Sequence, residues 1–564
     1  MKRLAVDIET DGLDAKQIYC VVARDLDEKR TYTFTPSTLE NCKQLLESAD
    51  ILVFHNGVSF DAPVLKRLLN ISIPLDKIRD TLILSQMANP VREGGHSLEA
   101  WGKSLGYNKI EFSDWSEYSD QMLKYCIRDV EITERVYNIL VPEMKRFSPR
   151  SIRLEHQVRA IVDQQERNGF ALNVPTAMQL MARLSDEATQ IKAQLQQKFP
   201  PITEIRYSDK TGNRLKDKVT VFNPASRKQI AERLSELGWK PHAYTEKGQA
   251  IVSEEVLSKV DIPEAQMVAR FLLLEKRVSQ IKSWIDAVGE DGRVHGKVWT
   301  LGTITGRMTH TSPNMAQVPA VYSPYGKDCR DVWTTTSNNY VLLGSDASSL
   351  ELRMLAHYMN DRDFTREVVE GDVHTANQKA AGLPTRDNAK TFIYAFLYGA
   401  GAAKIGKIVD GSAKEGKKLI DKFLSNMPAL KALRSKVDKL ASRGYVLGID
   451  GRVLQIRSAH AALNSLLQGA GAIVCKEWLK HIIIQATKRN LDFRLVASIH
   501  DEYQFEVRKD HAEELGEVTK LAMKLTEHLS KFVVLSTVNT RSGKRGEIPT
   551  RKKVLTFDSG CGTI

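Results

Sequence analysis

Residues 341–353 read VLLGSDASSLELR. The apolar run Val341-Leu342-Leu343 has strand character, and Leu350, Leu352 and Arg353 follow a turn of small residues. A strand therefore passes into a helix with Asp346 at the exposed junction. Far along the chain, Phe493, Leu495, Ala497 and Ile499 alternate up to His500-Asp501-Glu502, and Tyr503, Phe505 and Val507 alternate after it. That pattern predicts a hairpin with acids at its tip. Each acid alone is an ordinary turn residue. Brought together on adjacent strands, Asp346 and Asp501 would make a pair of carboxylates suited to holding two divalent ions about 3.5 to 4 Å apart for phosphoryl transfer.

Between these acids lies RDNAKTFIYAFLYG, residues 386–399. Arg386, Lys390 and Tyr394 are spaced by four, so they form a stripe on one helix face. Eight residues of helix cover roughly 12 Å, a span that suits an extended nucleoside triphosphate, with cations at the phosphates and an aromatic ring near sugar and base. The alternative reading is an amphipathic helix with a solvated charged face.

At the other end of the chain, Asp7 and Glu9 sit two apart in a strand-like run from Arg3 to Ile8, which points both carboxylates to one face. Such a pair is commonplace on a solvated strand, but divalent magnesium or manganese also takes such ligands. Asp61 follows the apolar run Ile51 to Phe54, and Tyr125 and Asp129 are four apart on a predicted helix, Leu123 to Leu140.

The whole chain has 564 residues, 42% hydrophobic and 27% charged, enough for three or four domain-sized units with real cores. Lys and Arg number 81 against 69 Asp and Glu, a formal charge of +12, which favours a polyanionic partner. Six cysteines (Cys20, Cys42, Cys126, Cys329, Cys475, Cys561) form no CxxC pair and read as free thiols of a reducing compartment. No apolar run of about 18 residues occurs, and Asp7 and Glu9 interrupt any signal-type core, so neither a membrane nor a secreted protein is expected.

To about Pro149 the chain reads as α/β, with a boundary at Phe147-Ser148-Pro149. Leu154 to Arg167 and Thr176 to Phe199 read as long polar helices with few aromatic residues, expected to extend from a compact core. A basic, turn-rich stretch, Ile202 to Thr220, interrupts them before Phe222-Asn223-Pro224. Strand signals return beyond Val294 and enclose a helical block from about Asp361 to Gly444. The stretch Arg541 to Lys553 carries six basic residues against Glu547, and reads equally well as a solvated tail or a phosphate contact.

In Asp7, Glu9, Asp61, Tyr125 and Asp129 the sequence resembles the DEDD family of 3′-to-5′ exonucleases, tyrosine subtype. DASSLELR from Asp346, RDNAKTFIYAFLYG from Arg386 and HDE at His500 to Glu502 resemble the three motifs of the family-A DNA polymerases, the class of bacterial DNA polymerase I, and look most like replicative enzymes of short-tailed phages of the T-odd type. Thr305-Gly306-Arg307, Pro313-Asn314 with Gln317, and Asn464 to Gln468 match as well.

The resemblance covers essentially the whole chain and implies an α/β and α+β multidomain protein. A ribonuclease H-like exonuclease domain (1–150) is expected to precede a right-hand polymerase, with thumb at 151–290, palm at 291–360 and 451–564, and fingers at 361–450. It further implies two Mg2+ ions per active site, with Mn2+ able to substitute. Asp7, Glu9, Asp61 and Asp129 would hold one pair while Tyr125 orients the attacking water. Asp346, Asp501 and the Ala347 carbonyl would hold the other, supported by Glu502. By the same resemblance Lys390 is a candidate proton donor to pyrophosphate, His374 and Arg386 contact phosphates, and Tyr398 lies in the nucleotide site. Glu351 occupies a steric-gate position that favours deoxynucleotides, Tyr394 goes with acceptance of dideoxynucleotides, Arg307, Gln468 and His500 contact the primer-template, and Gln317 is a further substrate-binding candidate.

The implied partners are primer-template DNA, dNTPs and a phage helicase-primase, with the enzyme a monomer in the cytoplasm of an infected bacterial cell. T-odd relatives insert a long thioredoxin-capturing loop in the thumb. Ile202 to Thr220 has only 19 residues, so thioredoxin is not expected as a partner. Two other readings are a single-subunit RNA polymerase, against which the exonuclease set and Glu351 both argue, and a nuclease whose second half merely binds DNA.

Overall fold

The structure, a computed structural model, describes residues 1–530 and 538–543. The first unit is built on a five-stranded sheet ordered Thr31–Phe34, Ile18–Asp25, Arg3–Thr10, Ile51–Phe54, Ile78–Asp80. Arg3–Thr10 is antiparallel to Ile18–Asp25 and parallel to Ile51–Phe54. Leu4, Ala5 and Val6 are all buried because this central strand is covered on both faces. Its parallel neighbour pairs only as far as Ala5, against Val53, so Asp7 and Glu9 continue beyond the end of that ladder. The helix Asp120–Met144 buries Met122, Cys126, Val130, Val136 and Leu140 at helical spacing. Its first turn is capped by the Ser119 hydroxyl, which accepts from the Met122 amide at 3.1 Å.

The second half contains a four-stranded antiparallel sheet ordered Phe493–Ile499, Glu502–Arg508, Tyr340–Ala347, Val538–Gly543. Helices Ala462–Lys488 and Ala512–Ser530 pack together beside it. Trp478 Nε1 donates to the Thr519 carbonyl at 2.8 Å, and the Tyr503 hydroxyl donates to the Cys475 carbonyl at 2.8 Å. Inserted between the strands is a set of shorter helices, among them Arg362–Val369, Val373–Ala381, Arg386–Leu397, Ala413–Asn426 and Pro428–Ala441.

Helices Val174–Lys198 and Pro263–Asp286 form a long pair with buried Leu180, Leu184, Ile191 and Leu195 facing Val268, Leu274 and Ile281. At its root, Phe170–Leu172 pairs with both Trp333–Thr334 and Arg293–Val294, so a strand N-terminal to residue 290 shares a sheet with two strands beyond it. Residues 202–220 form an exposed ribbon of Ile202–Glu204 with Lys218–Thr220.

The expectation that both long polar helices extend away from a core fails for the first. Pro149–Asn168 is wedged between the two halves, with Leu154, Val158 and Val162 packed against Val298 and Ile473. Its Glu155 is fully buried, accepting from Lys476 Nζ at 2.8 Å and from Arg452 at 2.5 Å, while Arg452 also pairs with Asp450 at 2.8 Å. A helix that looks solvent-facing in sequence thus carries its charge into a buried ion cluster. The five described cysteines are free and buried, and Cys561 lies outside the described residues. Of the basic stretch 541–553, only the backbone of 541–543 is described, as strand. Among the described residues no helix is long and apolar enough to cross a membrane.

Candidate active sites

In the N-terminal unit, Asp7 and Glu9 end the central strand, Asp61 opens the helix Asp61–Leu69, and Tyr125 and Asp129 lie one turn apart on Asp120–Met144. The segment leading to Asp61 is fixed by Asp80, whose carboxylate accepts from the amides of Asn56 at 2.9 Å and Val58 at 3.0 Å. Gly57 is required there because a Cβ would fall 2.2 Å from that of Phe54. Asp61, Glu9 and Asp129 are buried.

The carboxyls of this cluster are crowded and largely buried, with a nearby cation, Lys109, against them. Burial, then the neighbouring Asp129, pushes the Asp7 carboxyl up to about 7. Burial, then Asp7 and Asp129, pushes Glu9 up to about 10. Asp61 and Asp129 are raised by burial, with Asp129 held back by Lys109. Asp61 Oδ1 and Asp129 Oδ1 are buried without a hydrogen-bond partner. Ligand atoms of Asp7, Glu9 and Cys126 lie within 4.8 Å of one another, and the Cys126 thiol donates to Asp7 Oδ2 at 3.5 Å. The carboxylates here, mutually repelling and with Asp61 Oδ1 and Asp129 Oδ1 unpartnered, fit a hard divalent cation beside the Cys126 thiol.

Lys109, Cys126 and the aromatic neighbours Phe112 and Trp115 were not singled out in sequence. The Phe112 and Trp115 rings lie 5.6 and 5.5 Å from that of Tyr125, and Lys109 Nζ lies 2.5 Å from Asp129 Oδ2. Burial, then Asp129, raises the Tyr125 hydroxyl to about 12.

The second site is a cavity of about 580 Å³ lined by Arg307, Asp346, Glu351, His374, Lys390, Tyr394, Tyr398, His500 and Asp501 among others. Asp346 pairs in register with Glu502, and the Ala347 amide donates to the Asp501 carbonyl at 2.9 Å, which brings Asp346 near the end of its strand next to Asp501 in the adjoining turn. Left-handed backbone flanks both acids, at Ser349 (φ 53°) and His500 (φ 57°). Such conformations are costly away from glycine and concentrate at functional sites. His500-Asp501 form the two-residue turn, and Glu502 already belongs to the returning strand, where Gln504 donates to it.

On Arg386–Leu397, the side chains of Ala389, Phe392, Ile393 and Phe396 are buried, while Arg386, Lys390, Tyr394 and Tyr398 lie on the other face. Lys390, Tyr394 and Tyr398 reach the cavity. Arg386 does not line it, because Asp372 holds its guanidinium through two hydrogen bonds of 2.7 and 3.0 Å. Asp372 also caps the helix Val373–Ala381, and Arg386 first, then Thr375, holds its carboxyl well below the usual carboxylate range. Asp372 directly precedes that helix, and an acid at such a capping position is the sequence signal that could have marked it. His374, lowered by burial and then by Arg386, leaves Nδ1 without a partner.

Glu351 closes the cavity, accepting from Arg307 at 2.6 Å and from the Tyr398 hydroxyl at 2.8 Å. Gln468 is half-buried one turn before the lining residues Gly471 and Ala472 of the same helix. Gln317 is exposed at the end of a 3₁₀ turn and is not part of the lining. Lys476, absent from the sequence reading, reaches the lining from the ion cluster, and its ammonium is lowered by burial to about 8.

Residues 186–546 match the model of DNA polymerase family A, and residues 1–145 that of a 3′-5′ exonuclease. The chain is 32% identical to the DNA-directed DNA polymerase of Enterobacteria phage T3, over 96% of this chain and 99% of that one. It is also 32% identical to the enzyme of Escherichia phage T7, over 91% and 94%. Among solved structures, the POL domain of Pol1 from M. smegmatis, in complex with DNA primer-template and dNTP, superposes with a TM-score of 0.78 at 18% identity, covering 96% of this chain and 95% of the other. With family models spanning the polymerase and exonuclease units and relatives matched along nearly the full length, the chain belongs to the family A DNA polymerases and carries a 3′-5′ exonuclease domain at its N-terminus.

Proposed function

We propose that the protein extends a primer 3′ end with deoxynucleotides under template direction and removes mispaired 3′ ends at a separate site, replicating phage DNA in the cytoplasm of an infected bacterial cell. The observation that carries the synthetic half is the meeting of Asp346 and Asp501 with Lys390, Tyr394, His374 and Glu351 around one cavity. In domain terms, 1–150 is the exonuclease, 151–290 the thumb, 291–360 and 451–564 the palm and 361–450 the fingers.

Asp346, Asp501 and the Ala347 carbonyl would hold two Mg2+ ions, supported by Glu502, and Asp7, Glu9, Asp61 and Asp129 another two, Mn2+ being able to replace them. Divalent ions held by these carboxylates would supply Lewis acidity toward the attacking hydroxyl or water and positive charge toward the transferring phosphate. Lys390 delivers a proton to the departing pyrophosphate, and His374 together with Arg386, once released from Asp372, binds the phosphates. Tyr394 and Glu351 enclose the sugar. Glu351, held by Arg307 and Tyr398, fills the space of a ribose 2′-hydroxyl, and the Tyr394 hydroxyl supports dideoxynucleotide use. Arg307, Gln468 and His500 read the primer-template through minor-groove acceptors common to all base pairs, and Gln317 is a further substrate-binding candidate. Tyr125 orients the water at the exonuclease site. We assign the enzyme as a monomer that works beside a helicase-primase and without thioredoxin.

The direct test anneals one primer to four templates differing in the first unpaired base and offers each dNTP or rNTP singly. Incorporation of only the complementary dNTP is expected. Incorporation independent of the template base, or of ribonucleotides in preference, overturns the reading.

A further inference from the structure

The acidic cluster of the exonuclease site already contains a cation. Lys109 Nζ sits 2.5 Å from Asp129 Oδ2 and 4.6 Å from the centre of the Tyr125 ring, touching two of the five residues assigned to that site. Its backbone is anchored independently. The Asn108 carbonyl accepts from Arg128 at 2.9 Å, and the Tyr107 ring is held between the guanidiniums of Arg128 and Arg135 at 4.1 and 3.6 Å. The Tyr107 amide donates to the Gly102 carbonyl at 2.9 Å, and a Cβ on Gly102 would press the Tyr107 carbonyl at 2.9 Å. The loop is therefore clamped to the helix that carries Tyr125 and Asp129, and the clamp delivers Lys109 to the carboxylates from a fixed root.

We propose that Lys109 is a tethered counter-ion that holds the place of a divalent cation at Asp129, so that metal loading of the exonuclease site must displace it. This rests on the exonuclease assignment above. Asp129 has one oxygen engaged by the ammonium and the other buried without a partner. A metal ion therefore competes directly for the first oxygen while the second awaits it. The ammonium already lies over the Tyr125 ring while it pairs with Asp129, so that cation–π contact can hold the lysine beside the site when the Asp129 pairing is given up. In the metal-free protein the lysine reduces repulsion among Asp7, Glu9 and Asp129. In the loaded protein it is a positioning residue beside Tyr125, and it sets the cation concentration at which the site fills.

The test uses the full-length chain carrying Asp346→Asn and Asp501→Asn, which removes Mn2+ binding at the polymerase site, and measures Mn2+ affinity by the loss of free-ion EPR signal. Lys109→Met in that background should bind Mn2+ at least about tenfold more tightly, because a competing unit charge is gone, while Lys109→Arg should stay near the background value. Lys109→Met should also melt lower than the background without metal and recover with Mn2+. A purely structural lysine would lower the melting temperature and leave Mn2+ affinity unmoved, and that result, or weaker binding, overturns the proposal. Should Lys109→Met fold poorly, Lys109→Gln serves the same comparison. An isotherm insensitive to Asp7→Ala in the same background would overturn the exonuclease metal site itself, a failure distinct from that of Lys109 alone.

Discussion

Replacing Glu351 with alanine should convert the enzyme toward ribonucleotide use. The carboxylate accepts two hydrogen bonds, from the Arg307 guanidinium at 2.6 Å and the Tyr398 hydroxyl at 2.8 Å, and its side chain is 15% exposed. A ribose hydroxyl entering that space must push aside a charged group pinned from two sides. Charge-assisted bonds contribute about 1.5–3 kcal/mol each when buried. Discounted for the partial exposure of Arg307, the pair resists displacement by roughly 2–3 kcal/mol, which corresponds to about 30- to 150-fold in relative insertion efficiency. Glu351→Ala should lose discrimination of that order. Glu351→Gln keeps the volume and the Tyr398 bond while giving up the charge, and should lose about five- to tenfold. Single-nucleotide insertion with dNTP and rNTP in parallel reads the ratio directly. A wild-type ratio in Glu351→Ala, or Gln and Ala variants that cannot be told apart, would refute this role of the pinned carboxylate.

Three further outcomes follow from the same geometry. Asp7 has a folded pKa of about 7, above the roughly 3.9 of an unfolded aspartate, so the folded state binds its proton more tightly. In EDTA the wild type should therefore lose stability relative to Asp7→Asn as pH rises from 5 to 8, by on the order of a few kcal/mol. Melting temperatures across that range check the sign, and divalent metal should reverse the loss. Asp372→Asn keeps a good helix cap while freeing Arg386 from its bidentate partner, so apparent dNTP affinity should tighten severalfold in pre-steady-state insertion, whereas weaker binding would mean that Asp372 orients Arg386 for its phosphate. Glu155→Ala strands the buried Lys476 and leaves Arg452 with Asp450 alone, and should cost about 3–5 kcal/mol in denaturant unfolding, against near neutrality if the cluster is hydrated.

What the sequence made legible were elements whose pattern is local. Alternation across 493–507 announced a hairpin, and the four-residue spacing of Arg386, Lys390 and Tyr394 announced a helix face. The structure has Phe493–Ile499 paired with Glu502–Arg508 and a helix at Arg386–Leu397 whose Lys390 and Tyr394 line the cavity, while Arg386 is drawn to Asp372 instead. What stayed hidden depends on contacts between distant segments. Lys109 lies in a loop with no periodicity, and only the clamp of Tyr107 onto Arg128 and Arg135 shows where its charge goes. Glu155 sits in a helix whose polar composition reads as solvent-facing, yet Arg452, 297 residues away in sequence, neutralises it in the interior. Phe170–Leu172, at three residues, is too short for a period to register, and its sheet depends on two remote strands.

The account stands on two chemically separate carboxylate sites in one chain, and a labelled primer-template incubated with Mg2+, with and without dNTPs, tests this most directly. Asp7→Ala should extend the primer and fail to shorten it, and Asp346→Ala should shorten it and fail to extend. Loss of both activities in either well-folded variant, or survival of template-directed synthesis in Asp346→Ala, would contradict the account.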